Sequence, residues 1–185
     1  GGAANITIVE NGGQDKICYE FHQDGSQRKC LVIPDGAFRN PMTVEQIQNQ
    51  IVRMPLTGVV MDGSTVFNFA QKEVPILVDS LTKMAETTKE DIDWFLFHQP
   101  NKFMLQKLAE RIGVPFEKMP MDIVEKFGNS NSATIPTAIT ADLKEEMLNK
   151  ESLCCLAGFG AGVAWAGIIM KMGNMDFCDT IISDL

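Results

Sequence analysis

Apolar residues recur along this chain with two periods, near two and near 3.6, and the alternation between them predicts alternating strands and helices. Ala4–Glu10 alternates through Ile6 and Ile8 into a turn at Asn11-Gly12-Gly13, and Lys16–His22 reads as the return strand. From Asp24 to Gly58 the pattern dissolves among Gly, Pro, Asn and Gln, with one short helix expected near Thr43–Arg53. So long an irregular segment points to a functional or covering loop. Phe67, Ala70, Val74, Leu77, Leu81 and Met84 then mark one face of a long helix. Ser64 or Thr65 is its expected cap, and Pro75 its expected kink or break.

Asp93–His98 is a short, strongly apolar strand. Pro100 and Asn101 open a second helix that turns Met104, Leu105, Leu108 and Ile112 inward and stops at Gly113. Lys118–Ile123 reads as a strand, and the polar turn Gly128–Ser132 feeds a helix running to about Asn149. Ser152–Met170 carries no charge and is nearly long enough to span a bilayer, and Gly158 and Gly162 are spaced as in helix dimers in lipid. Against a span, Gly158, Gly160, Gly162 and Gly167 punctuate the stretch, and Glu151 and Lys171 bound it closely. It reads instead as two buried strands, Leu153–Ala157 and Val163–Met170, around a glycine turn, with no membrane segment. Alternating β and α elements make this an α/β fold.

Composition narrows the function. The 185 residues suit one domain or two small ones, and 45% hydrophobic against 22% charged residues is ordinary for a folded, soluble chain. Sixteen Lys and Arg against 24 Asp and Glu give a net charge of −8, and no basic run exceeds Arg28-Lys29. That excludes a nucleic-acid partner, which needs clustered cations to neutralise phosphates. Five cysteines (Cys18, Cys30, Cys154, Cys155, Cys178) include no C-x-x-C pair, and the two histidines, His22 and His98, are far apart. The expectation is buried, reduced thiols in a cytoplasmic protein, with no structural zinc and no metal. Cys154 and Cys155, adjacent in a strand, should point to opposite faces. The chain begins at Gly1 without an initiator Met, which reads as a processed start or a piece of something longer.

Ligands of α/β sheets gather beyond the carboxyl ends of strands and near helix N-termini. Three features fall at such places: His98 at a strand end, Asn129 in a turn before a helix, and the turn Gly158-Phe159-Gly160-Ala161-Gly162. Each alone has a plainer reading, as a structural histidine, a turn dipeptide and a hairpin. G-x-G-x-x-G fails because its third glycine would be Val163 or Trp165, and neither a Walker A loop nor a Gly-x-Ser-x-Gly elbow occurs. Together, a neutral His N–H and an Asn amide aimed at one point make an oxyanion hole, to which the glycine turn can add a peptide N–H. No nucleophile accompanies them, since the cysteines fall in buried strands or a hairpin and not at a helix N-terminus.

The segments His98-Gln99-Pro100-Asn101, Gly128-Asn129-Ser130-Asn131-Ser132-Ala133-Thr134-Ile135-Pro136 and Gly158-Phe159-Gly160-Ala161-Gly162-Val163-Ala164-Trp165 resemble the three C-terminal motifs of the β-ketoacyl-acyl-carrier-protein synthase III family, within the thiolase superfamily. Met61-Asp62-Gly63-Ser64-Thr65-Val66-Phe67 resembles a further segment of that family, in the family's order. The resemblance implies a thiolase-like half, a mixed β-sheet flanked by α-helices, over residues 1–172, with 173–185 as a tail. It also implies a missing N-terminal half that carries the nucleophilic Cys. The implied chemistry is decarboxylative Claisen condensation: the absent Cys takes an acyl group from acyl-CoA, and malonyl-acyl carrier protein loses carbon dioxide and attacks it. His98 and Asn129 match the donors that hold the malonyl thioester oxygen. Ala161 matches the loop residue whose backbone N–H completes the acyl oxyanion hole. Gly63, Phe67, Asn101 and Phe159 match positions lining the pantetheine tunnel, and their plainer readings include a helix start, a core aromatic and a helix cap.

No cofactor is implied beyond these substrates, because the thioester is the electron sink. The implied partners are acyl carrier protein, acyl-CoA, the other half and a second copy in a homodimer. The sequence departs from the family at Pro100, where Ala is usual, and at Ala161, where Gly is usual. Phe103 and Glu110 stand where basic residues are expected, which weakens steering of an acidic carrier. The chain alone is expected to be inactive. In the family the Ser132–Asn149 helix packs between two sheets, so an isolated half should expose an apolar patch there and self-associate. The rival readings are a thiolase-fold acyltransferase that does not decarboxylate, and a non-catalytic partner subunit of the same fold. A Cys at a helix start upstream of Gly1 would separate the second from the first.

Overall fold

The computed structural model of the protein describes residues 3–9, 13, 15–34, 41, 43–45, 48 and 58–182. In chain order it contains β1 (Cys18–Gln23), β2 (Leu31–Val32), β3 (Val60–Met61), α1 (Gly63–Ala85), β4 (Trp94–Phe97), α2 (Lys102–Ile112), α3 (Ile123–Phe127), α4 (Thr134–Asp142), α5 (Lys144–Asn149), β5 (Ser152–Gly160) and β6 (Ala164–Met172). Short 3₁₀ turns lie at Gly25–Gln27, Phe116–Lys118 and Asn131–Ala133. The main sheet has the order β1-β6-β5-β4. β1 and β5 pair antiparallel with β6, and β4 pairs parallel with β5, so the sheet is mixed. β2 and β3 form a separate antiparallel pair.

Helices cover both faces where the parallel pair lies, which is why β4 is apolar throughout. On one face α1 and α2 pack Ala70, Val74, Leu77, Leu81, Leu105 and Leu108 against Phe95, Phe97, Cys155 and Ile169. On the other, Ile139, Leu143 and Met147 meet Leu96 and Cys154. Cys154 and Cys155 thus enter opposite cores, as strand alternation requires. All five cysteines are free and buried. The uncharged stretch is the β5–β6 hairpin, and among the described residues no helix is long and apolar enough to cross a membrane.

Several expectations change. The cap of α1 is Asp62, whose carboxylate accepts from the Thr65 N–H at 3.1 Å and from the Ser64 and Thr65 hydroxyls at 2.7 Å each. A carboxylate placed before the helix takes several donors at once, and these bonds hold its pKa down at about 2. Pro75 does not end α1, which runs unbroken to Ala85. An interior proline costs about 3 kcal/mol, but Val74, Leu77, Val78 and Leu81 around it are all fully buried and hold both halves in line. Residues 118–123 are not a strand. Met119, Met121 and Ile123 do alternate inward, yet Pro120 cannot donate to a ladder. The helix expected from Ser132 to Asn149 is a 3₁₀ turn, α4 and α5, because Leu143 leaves helical geometry at φ −122° and turns into the core.

Residues 4–9 form no strand, and Ile6, Ile8 and Val9 are exposed, since no neighbouring strand pairs with them among the described residues. Gly12 and most of Thr43–Arg53 lie outside the described residues. The hairpin strands run longer than expected: the first continues to Gly160, and the second, which starts one residue later at Ala164, continues to Met172. Gly162 has φ +139°, and a Cβ there would sit 2.9 Å from the Ala164 nitrogen, so the turn requires glycine. Val163 is locked by an exchange of backbone hydrogen bonds with Asp24, at 2.8 and 3.1 Å.

The apolar patch expected on Ser132–Asn149 is absent, because the tail covers it. The Met175 N–H donates to the Met147 carbonyl at 2.9 Å, Cys178 is buried against Ile139, and Lys144 pairs with Asp179 at 3.0 Å. The Thr180 hydroxyl donates to that of Thr140 at 2.7 Å. Exposed apolar side chains gather instead at Ile17, Tyr19 and Phe21. Their two-residue spacing puts them on one face of β1, opposite the face where Glu20 accepts from Ser80 of α1.

Packing of α1 on the sheet depends on Gly167, where an added Cβ would lie 2.7 Å from Leu81 Cδ1, 3.0 Å from Leu77 Cδ2 and 3.2 Å from the Leu156 carbonyl. Gly167→Ala is expected to destabilise the fold by about 1–3 kcal/mol in urea titration. Gly158→Ala, whose Cβ meets nothing within 4 Å, should be neutral or slightly stabilising. Equal effects would contradict this packing.

Candidate active site

β4 ends at Phe97, but the ladder continues one residue further, because the His98 N–H donates to the Ala157 carbonyl of β5 at 2.8 Å. His98 is therefore fixed at the carboxyl end of a parallel strand pair. The chain must then leave the sheet, and Gln99 governs how. Fully buried, it donates from Nε2 to the Phe97 carbonyl at 3.0 Å and the Pro120 carbonyl at 2.8 Å. That second bond occupies the loop sequence analysis had read as a strand. Asn101 caps α2, its Oδ1 accepting from the Met104 N–H at 2.8 Å, and Gly113 closes the helix in the left-handed region at φ +82°.

The second arm of the site is the turn after α3. Gly128 and Asn131 both take positive φ, at +73° and +54°. Asn is the non-glycine residue that best tolerates this conformation. The Asn131 N–H donates to Asn129 Oδ1 at 3.0 Å, an Asx turn that engages the oxygen of the Asn129 amide and leaves its NH₂ for donation elsewhere. The Asn131 carbonyl accepts from the Thr134 N–H and lies 2.8 Å from the Thr134 hydroxyl. Thr134, almost fully buried, places Oγ1 2.8 Å from His98 Nδ1 and 3.3 Å from the Gln99 N–H. Asn129 and His98 are thus joined through the Asn131 backbone and the Thr134 hydroxyl.

The His98 ring meets Phe159 of β5 edge to face, with centroids 5.6 Å apart. Burial lowers its pKa, and a backbone contact with Asn131 opposes that only in part. At neutral pH His98 is an uncharged imidazole, able to donate one hydrogen bond without carrying a buried charge. An exposed amide and a half-buried neutral imidazole, both held from behind, are two uncharged donors of the kind that can stabilise an oxygen gaining negative charge.

The remaining predicted residues stand apart from this pair to differing degrees. Phe159 touches His98 directly, and Ala161 lies two residues beyond it at the exposed hairpin tip. Asn101 is a helix cap three residues after His98. Gly63 begins α1, and Phe67, one turn later, reaches α2 by stacking on Phe103 at 5.9 Å. Two of the three basic residues of α2 are engaged: Lys102 pairs with Asp122 at 2.7 Å and Glu125 at 3.6 Å, and Lys107 with Glu110 at 2.6 Å. All five cysteines are buried, and burial pushes the Cys154 and Cys155 thiols up to about 12, away from a thiolate nucleophile. Sequence reasoning missed Gln99, Asn131 and Thr134 as parts of the site. The one available signal was the Asn-x-Asn spacing, which favours an Asx turn.

Comparison with known proteins places this geometry. Residues 82–172 match the family described as 3-oxoacyl-[acyl-carrier-protein] synthase III C terminal. The chain is 31% identical over 172 residues to the β-ketoacyl-[acyl-carrier-protein] synthase III of a Synechocystis species, covering 92% of this chain and 51% of that protein. It is 35% identical over 173 residues to the enzyme of that name from Prochlorococcus marinus, covering 93% and 50%. Among solved structures, the 3-oxoacyl-(acyl-carrier protein) synthase of Burkholderia xenovorans superposes with a TM-score of 0.78 at 34% identity, over 89% of this chain and 46% of that one. The chain spans about half the length of the curated relatives it matches. The mixed sheet with helices on both faces is the thiolase-like half that the motifs implied.

A lowered His98 pKa has a stability consequence. Below the ordinary value of 6.5, the unfolded chain takes up a proton that folded His98 refuses, so stability falls with pH until His98 itself is protonated. With only two histidines in the chain, NMR titration should find His98 protonating below 6.5. In His98→Gln the matching part of the stability slope should vanish. A His98 midpoint above 6.5 would contradict the assigned burial.

Proposed function

We propose that this chain, which belongs to the 3-oxoacyl-[acyl-carrier-protein] synthase III family and corresponds to its C-terminal half, supplies the decarboxylating side of a two-part condensing site. In this reading a Cys on the other half holds an acyl group, received from acyl-CoA, as a thioester. A malonyl thioester on acyl carrier protein then places its thioester oxygen between His98 and Asn129. The bond from its carboxylate carbon to C2 breaks, carbon dioxide leaves, and the electron pair passes into an enolate whose oxygen accepts from the His98 ring and the Asn129 amide. The enolate carbon attacks the acyl thioester, and the resulting oxyanion accepts from the Ala161 N–H until the Cys thiolate departs.

The observation that carries this reading is the shared tether of His98 and Asn129 through Asn131 and Thr134. Two uncharged donors fixed before substrate arrives stabilise developing charge without reorganising when it forms. The tethered Asn129 and the neutral His98 support decarboxylation over simple acyl transfer, which develops no such enolate. Carrier docking is a separate matter. With Lys102 and Lys107 held in ion pairs and a net charge of −8, attraction for an acidic carrier would come from the other half.

The test uses the complete protein, both halves present. His98→Ala should slow carbon dioxide release from the malonyl thioester by ~10²–10³ while acylation of the Cys continues. Equal loss of both steps would overturn the role. Acylation without any carbon dioxide release in the wild type would favour the non-decarboxylating acyltransferase.

A further inference from the structure

We propose that Thr134 is the positioning residue that sets the tautomer of His98, donating its hydroxyl proton to Nδ1 so that the ring's own proton sits on Nε2. The proposal rests on the reading of His98 as a donor to the substrate oxygen. A threonine hydroxyl has one proton to give and two lone pairs. Around Thr134 Oγ1 lie the Gln99 N–H at 3.3 Å, which can only donate, and two groups that can accept. These are the Asn131 carbonyl and His98 Nδ1, both at 2.8 Å. The single proton must choose between them.

If it goes to the Asn131 carbonyl, Nδ1 must carry the ring proton, and Nε2 is left as a bare acceptor. Such an edge would repel an enolate oxygen. If the hydroxyl turns to Nδ1, the proton of the neutral ring is on Nε2, where it can be donated. The second arrangement leaves neither Nδ1 nor the Asn131 carbonyl unpaired, because that carbonyl still accepts from the Thr134 N–H. The position is also sterically prepared. Thr134 is almost fully buried in the first turn of α4, and a β-branched side chain has few χ1 states there, so the oxygen stays between its two acceptors. Proton placement on a catalytic imidazole is commonly fixed by the bond its other nitrogen makes. Here that bond comes from a hydroxyl able to donate or accept.

Ring-15N-labelled histidine in the 185-residue chain reads this directly, since long-range 1H–15N spectra at pH 7.5 distinguish a protonated ring nitrogen from a bare one. The wild type and Thr134→Ser are expected to show His98 protonated at Nε2 and bare at Nδ1. In Thr134→Val, which keeps the branched shape and loses the hydroxyl, the ratio of Nε2–H to Nδ1–H should fall about tenfold. In the complete protein the same variant should lower kcat for carbon dioxide release with little change in KM, and Thr134→Ser should restore it. A wild-type ring protonated at Nδ1 overturns the proposal without any variant, as does a Thr134→Val spectrum identical to wild type. An unchanged Thr134→Val spectrum leaves the role of His98 standing, because that role is tested separately by His98→Ala, whereas a wild-type ring protonated at Nδ1 counts against His98 as the donor as well.

Discussion

The backbone on either side of one Cα holds the two candidate donors together. The residue at its centre, Asn131, sits at φ +54°, a conformation that most side chains resist. Because of that turn, its N–H faces Asn129 and its carbonyl faces Thr134, so the side chains two residues before it and three residues after it answer to one backbone position. Through the Thr134 hydroxyl the constraint extends to the His98 ring and the Gln99 N–H. Donors that must meet a charge appearing for an instant gain most from being fixed beforehand. Here the fixing is done by groups that sit behind the two candidate donors.

The scaffold makes this possible by ending the parallel pairing of β4 and β5 at His98. His98 is the last residue tied to β5, and Phe159 of β5 packs on its ring. Behind them, buried Gln99 joins the β4 end to the Pro120 loop and to α4. Helices on both sheet faces keep those strands in place, and residues after β6 seal the α4–α5 side. Ile17, just before β1, and Tyr19 and Phe21 within it are exposed, and among the described residues no helix covers them. A chain half the length of its relatives is consistent with such an unfinished surface.

Much of this was legible in the sequence wherever the signal is local. The Asn101 and Gly113 caps, the apolar β4 strand and the β5–β6 hairpin follow from residue type and spacing alone. Errors arose where tertiary contacts decide. Pro75 looks like a break until the burial of Val74, Leu77, Val78 and Leu81 is known. Residues 118–123 alternate like a strand, but Pro120 offers only a carbonyl, which Gln99 takes. His98 and Asn129 stood out as chemistry-bearing residues at element ends. Thr134 and Gln99 did not, because their importance lies in what they touch, 36 and 21 positions away in sequence.

If His98 and Asn129 act as one preorganised unit, their contributions cannot be independent. The most direct measurement is a double-mutant cycle on carbon dioxide release from a malonyl thioester by the complete two-half protein. His98→Ala and Asn129→Ala are made singly and together. The double variant is predicted to be scarcely slower than the slower single variant, as for residues that share one task. Losses that simply multiply would mean two separate donors, and would contradict the Asn131 tether as the organising feature of this site.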